Sequence, residues 1–151
     1  MKTNSTTVQH SVIINRPVEA TWNFLTDFNN MPKWARGVEE IIEISPGPIG
    51  VGTKVTDIGL GLKRRWPETF WVEEFVPYQA LGLVWKGAYG TAHVRYTLES
   101  VPEGTKLTGY TFGDYRFPFS IILLFMAGTA RRNFQAGLTN IKHFTEEAVP
   151  G

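Results

Sequence analysis

The chain has 151 residues, of which 42% are hydrophobic and 19% charged, and a formal net charge of +1. That is the size of one ordinary domain with enough apolar material for a core. It excludes wholesale disorder, and the even mixture of charges excludes a basic nucleic-acid-binding surface. With no cysteine, disulfides, thiolate metal sites and cysteine nucleophiles are excluded as well.

Residues 1–7 are polar and carry no apolar signal-peptide core, so a cytoplasmic location is expected. Residues 8–15 are rich in β-branched side chains and read as a strand, with Val8, His10, Val12 and Ile14 on one face. Arg16-Pro17 breaks it. Pro17 suits the start of a helix over 18–26, and a short second helical turn is expected to end at Met31-Pro32. Strands are expected over 38–45, 51–58, 65–76, 80–86, 90–100 and 105–115. The turns between them are marked by Pro46-Gly47-Pro48-Ile49-Gly50, Gly59-Leu60-Gly61, Pro77-Tyr78, Gly87 and Pro102-Glu103-Gly104. Pro67 inside the fourth strand argues for an edge or a bulge there.

From Phe119 to about Glu147 the period changes to that of a helix. Phe119, Leu123, Met126, Ala130, Phe134, Leu138 and Ile141 recur at three or four residues and form an apolar stripe, with Arg131, Arg132, Gln135, Thr139 and Lys142 off it. Gly128 and Gly137 interrupt the helix and leave space beside it. Strands about twelve residues apart with short turns, followed by one helix, give an α+β domain with an antiparallel sheet. One helix cannot fill the concave side of seven strands, so a cavity is expected.

The same punctuation carries a family resemblance. Ile14-Asn15-Arg16-Pro17 with Glu19 and Trp22, Leu25-Thr26-Asp27, Pro32-Lys33-Trp34 and Val51-Gly52-Thr53 occur in that order. Val72-Glu73-Glu74-Phe75-Val76-Pro77, Tyr96-Thr97-Leu98-Glu99 with Gly104-Thr105, and Asn140-Ile141-Lys142 follow. Together they resemble the START-like (SRPBCC) helix-grip superfamily, of the polyketide cyclase/dehydrase type, over nearly the whole chain. The resemblance implies one START-like domain over 1–151, frayed at 1–7 and 148–151. In it a curved seven-stranded antiparallel sheet wraps around a long C-terminal helix, with one or two short helices after the first strand. It implies an internal cavity with Trp34 near its mouth. It supplies no universal catalytic set.

For function, binding or carriage of a small apolar ligand, a lipid or an aromatic or polycyclic metabolite, is the first expectation. An acid–base enzyme of the cyclase/dehydrase kind is the alternative, and a purely structural partner-binding role is the third. No cofactor and no nucleic acid is called for. His10, His93 and His143 are far apart and show no metal-ligand spacing. There is no GxSxG, and Gly59-Leu60-Gly61 lacks the rest of a phosphate-binding pattern. Lys63-Arg64-Arg65 is the only basic cluster and reads as a solvated loop.

The expected cavity wall is Trp34, Trp66, Trp71, Trp85, Tyr89, Tyr96, Tyr110 and Phe112, with Phe119, Leu123, Met126, Ala130 and Phe134 from the helix, since aromatic faces stack on flat apolar ligands. Acid–base candidates are Glu68, Glu74, Tyr89, Tyr96, Tyr110 and Asp114, foremost Glu74 and Tyr110. Glu74 shares strand parity with Phe70 and Val72 and so faces inward unless a bulge near Pro67 reverses the register. The segment 117–128 is apolar on every side of the helix. A covering loop or a second subunit (a homodimer), a portal lip, or, least expected, a membrane contact would each account for it. At about a dozen residues it is too short to span a bilayer.

Overall fold

A computed structural model describes residues 8–61 and 64–147, the side chains of Leu60 and Arg64 excepted. The elements are β1 (Val8–Ile14), α1 (Val18–Thr26), a 3-10 turn (Phe28–Asn30), α2 (Met31–Trp34), β2 (Val38–Ile44), β3 (Lys54–Gly61), β4 (Arg64–Val76), β5 (Ala80–Gly87), β6 (Gly90–Val101), β7 (Gly104–Tyr115) and α3 (Phe119–Glu147). The seven strands form one antiparallel sheet in the order β1-β7-β6-β5-β4-β3-β2. Hairpin succession fixes β2 to β7, and β1 closes the row beside β7. The helix-grip arrangement is therefore present. The ends 1–7 and 148–151 lie outside the described residues.

Period-two alternation decides what each strand turns inward. Leu81 and Leu83 of β5, Tyr96 and Leu98 of β6, Leu107 of β7 and Phe70 and Val72 of β4 face the concave side and are buried. They join Ile14, Trp22, Leu25, Phe28, Leu138 and Ile141 in one core. The second half of α3 packs closely on β7. A Cβ on Gly109 would stand 2.6 Å from Cζ of Phe134, so a larger residue there would push the ring and the helix away. Polar ties hold the same half to β1. Glu146 accepts from the Asn15 amide at 2.8 Å and from Lys142 at 2.6 Å, and Lys142 also donates to the Ile13 carbonyl at 2.7 Å.

Two boundaries differ from expectation, and of the two alternatives at Pro67 the structure shows the edge. Pro32 opens α2 rather than ending a helical turn, because a first-turn proline lacks only an amide that has no intrahelical partner. Gly59-Leu60-Gly61 is not the hairpin loop. β3 pairs with β4 through to Gly61, opposite Arg64, and 62–63 lie outside the described residues. Pro67 causes no bulge. β4 pairs with β5 only from Phe70 onward, so Pro67 lies on a stretch bonded on one side. Of the basic cluster, Lys63 and the Arg64 side chain are outside the description, and Arg65 pairs with Glu39 at 2.7 Å.

Candidate functional site

Between the concave face and the first half of α3 lies a cavity of about 740 Å³. Its volume is in the range of sites that enclose a drug-sized molecule. Met31, Trp34, Ala35 and Val38 form one side; Trp85, Val94, Tyr96 and Tyr115 line the sheet; Ser120, Ile121, Leu123, Leu124, Ala127, Ala130 and Phe134 form the roof. Trp34 meets Tyr96 edge-on at 5.9 Å, and Tyr96 stacks on Phe134 at 6.4 Å. The wall is thus mainly apolar, with a run of aromatic faces. Tyr96 is buried, which pushes its hydroxyl pKa up, and Trp34 Nε1 is buried with no hydrogen-bond partner. Arg36 and Arg131 are the cations on the lining.

The polar end of the cavity is built by β3 and β4. Asp57 and Glu68 stand directly opposite each other across this strand pair, on the face that carries Val55 and Phe70. In such a pair Cβ atoms are about 5 Å apart. Glu68 lines the cavity, and Asp57 behind it is 0% exposed with neither carboxyl oxygen hydrogen-bonded. Gly59 makes room for the Glu68 carboxyl, since a Cβ there would lie 2.8 Å from Oε2. Burial, and then the nearby Glu68, raises the Asp57 pKa to about 7. Burial raises that of Glu68 too. Tyr89, in the β5–β6 turn, is pushed up to about 12 by burial and by the neighbouring Glu68, Tyr115 and Asp57. Tyr89 and Tyr115 rings lie 6.4 Å apart, and burial raises Tyr115 as well.

Of the residues expected in the wall, Trp34, Trp85, Tyr96, Leu123, Ala130 and Phe134 line the cavity; Trp66, Trp71, Tyr89, Tyr110, Phe112, Phe119 and Met126 do not. Trp71, Tyr110 and Phe112 fall on the outer face by alternation with Phe70, Gly109 and Gly113. Phe112 stacks there on His93 at 4.7 Å. Trp66 keeps the inner parity but sits near the far end of β4, 48% exposed. Phe119 and Met126 miss because the inward face of α3 is rotated from the predicted stripe.

The foremost acid–base candidates lie away from the cavity. A bulge between Val72 and Glu74 places Glu74 outside, where it pairs with Arg95 at 2.7 Å, and that guanidinium holds its pKa below the usual carboxylate range. Tyr110 is beside it on the same outer face, paired in register with Arg95, and Asp114 is exposed on the outer parity. Asp57 was missed altogether. Its signal was parity: Thr53, Val55 and Asp57 alternate onto one face, and Val55 is core.

The first half of α3 is uncovered. Phe117 is 69%, Leu124 72% and Phe125 84% exposed, and the loop after β7 does not shield them. Ile121 and Leu124 belong both to this strip and to the cavity roof. No helix among the described residues is long and apolar enough to cross a membrane.

The sequence matches the family described as "Polyketide cyclase / dehydrase and lipid transport" over residues 5–144. The chain belongs to this family. The fold is that of the Zhui aromatase/cyclase from Streptomyces sp. R1128 (15% identity, 97% of each chain, TM-score 0.82). It is also that of the protein of unknown function SA2116 from Staphylococcus aureus (13% identity, 94% of each chain, TM-score 0.74). The di-domain ARO/CYC StfQ of the steffimycin biosynthetic pathway matches at 9% identity and TM-score 0.77 over 95% of this chain; the chain spans 51% of that protein's length. At these identities the likeness is one of fold. No curated protein matches the sequence.

Proposed function

We propose that the protein holds a small apolar molecule, a lipid or an aromatic or polycyclic metabolite, between the sheet and the first half of α3. The observation that carries this is the 740 Å³ cavity walled by Trp34, Trp85, Tyr96 and Phe134. A half-open apolar space of this size gains dispersion and desolvation energy when filled. The uncovered strip supports a portal at α3, since Ile121 and Leu124 face both solvent and cavity. Pairing of two chains through 117–128 is the competing use of the strip.

Native mass spectrometry of freshly purified protein, beside an organic extract of the same sample, tests the reading. A bound mass of roughly a few hundred daltons that is lost on denaturation is expected, and Ala127→Trp, which fills the roof, should abolish it. A clean unliganded mass, with no thermal shift from fatty acids, sterols, quinones or aromatic polyketides, would sink it.

A second reading is enzymatic: acid–base conversion of a hydrophobic substrate, as in the cyclase/dehydrase alternative. The observation that favours it is the carboxyl pair at one end of the cavity, a fully buried Asp57 behind a solvent-reachable Glu68. An apolar carrier has no need of such a pair.

A further inference from the structure

Asp57 and Glu68 do not behave like the paired carboxylates on the outer face of β4. On the outer face of β4, Glu73 accepts from His93 at 2.8 Å and Glu74 is held by Arg95. On the inner face, the two carboxyls oppose each other with no cation bonded to either among the described residues, and both oxygens of the fully buried Asp57 are without a partner. A buried carboxylate without a partner is costly, and a purely structural pair would be expected to have a cation or amides to satisfy it. The groups that face the pair are Tyr89 from the β5–β6 turn and Tyr115 from β7; Arg36 after α2 and Arg131 of α3 line the rest of the cavity. Glu68 lines the cavity beside aromatic side chains, over the space left by Gly59.

We infer that Asp57 and Glu68 form a proton-transfer site. Glu68 exchanges a proton with the end of the occupant that reaches β3 and β4, and Asp57 sets how firmly the pair holds that proton. The inference rests on the cavity reading and deepens its enzymatic form. The fitting substrate is an apolar, flat molecule with a C–H acidified by an adjacent carbonyl. The Glu68 carboxylate takes the proton, the C–H electron pair moves into the enolate, and the carboxylic acid so formed returns the proton to another atom of the substrate or to water. No oxidant, metal or second substrate is required. Two interacting carboxyls titrate as a unit, so the proton belongs to the pair. Glu68 is the catalytic group, and Asp57 is a positioning and tuning residue.

Nitrobenzisoxazole is the probe, a flat apolar aromatic that fits the wall. When a base removes its ring proton, the C–H pair forms the nitrile and the ring N–O bond breaks to a coloured phenolate. Desolvated carboxylates carry out this step faster than solvated ones. Wild-type protein should turn it over with a rate that rises with pH through neutrality. Glu68→Gln should lose about 10²-fold or more. Asp57→Asn should lower the rate and move the inflection to lower pH, because the repulsive neighbour is gone; a merely structural Asp57 would leave the inflection in place. Gly59→Ala, which displaces the Glu68 carboxyl without altering charge, should slow the step while circular dichroism is unchanged. Binding of nitrobenzotriazole, which has a similar shape and cannot open, is measured alongside. If it binds and Glu68→Gln reacts as fast as wild type, the cavity stands and the proton-transfer site falls. If it does not bind and no occupant is found by native mass spectrometry, both fall.

Discussion

At one end of the sheet the second half of α3 sets Leu138, Ile141 and Thr145 into a core with Ile14, Leu25 and Leu107, each at most 2% exposed. At the other end the first half of the same helix leaves Leu124 and Phe125 in solvent and roofs a cavity whose polar end holds two carboxyls with no ion pair among the described residues. The same sheet and helix build both ends, so the difference lies in side chains. Gly109 lets the helix down onto β7 at the closed end, whereas bulky Trp85 and Tyr115 line the space under it at the open end. The closed end supplies stability. That lets the open end keep features that cost stability, as sites of chemistry and binding commonly do.

The largest effect should separate the two ends by packing. Leu138→Ala removes a side chain that is 1% exposed and should cost about 2–5 kcal/mol in a denaturant melt. Leu123→Ala, on the half-buried cavity roof, should cost about 1 kcal/mol or less, because it leaves no new enclosed void. Equal losses would erase the distinction.

A stability gain should appear at the open end. The folded pKa of Asp57 is raised to about 7, above its unfolded value of about 3.9, so the folded state binds the extra proton between those limits. Stability is then lost as pH rises from about 4 through 7, by up to about 4 kcal/mol at roughly 1.4 per unit. Asp57→Asn should therefore stabilise the protein at pH 8, by less than that bound because a carboxamide is still buried, and should bring no gain at pH 4. Melts at the two pH values check this. A variant less stable at pH 8 would mean that the Asp57 carboxylate has a partner in solution.

The outer face should respond weakly. Glu74→Gln breaks an exposed pair with Arg95 and should cost under about 1 kcal/mol, less in high salt, and the occupant should be retained. The pKa of Glu74 is lowered, so its small contribution is present above the ordinary carboxylate range and fades as pH falls. Loss of the occupant with Glu74→Gln would blur the boundary between the two faces.

The sequence's legibility follows the same division. The strands, the long helix and the Leu138–Ile141 stripe were readable because one face is apolar and the other polar. Two features of the site were not. A bulge between Val72 and Glu74 adds a residue and reverses parity, so alternation counted from Phe70 puts Glu74 on the wrong side. At the start of α3 every face is apolar, and periodicity has no phase to report. Counting back from Leu138 by 3.6 residues per turn reaches Phe134, Arg131, Ala127, Leu124 and Ser120, all on the cavity wall, whereas the apolar stripe chose Phe119 and Met126. Arg131 is exposed, as its charge suggested, and lines the cavity as well. Asp57 lay in the open, a carboxylate at core parity, and only its facing Glu68 gave that position meaning.

Phe125 tests whether the exposed strip has any role in holding the fold. Its ring is 84% exposed and belongs to neither the core nor the cavity wall. Phe125→Ser should move stability by under about 0.5 kcal/mol, the usual range for a surface change. It should nevertheless raise the protein concentration tolerated before precipitation by polyethylene glycol, because it breaks a contiguous apolar patch. A loss of stability as large as that of Leu138→Ala would show that the first half of α3 is packed in solution, against a second chain or against the sheet. The cavity would then be closed rather than roofed, and the portal at Ile121 and Leu124 would have no opening to serve.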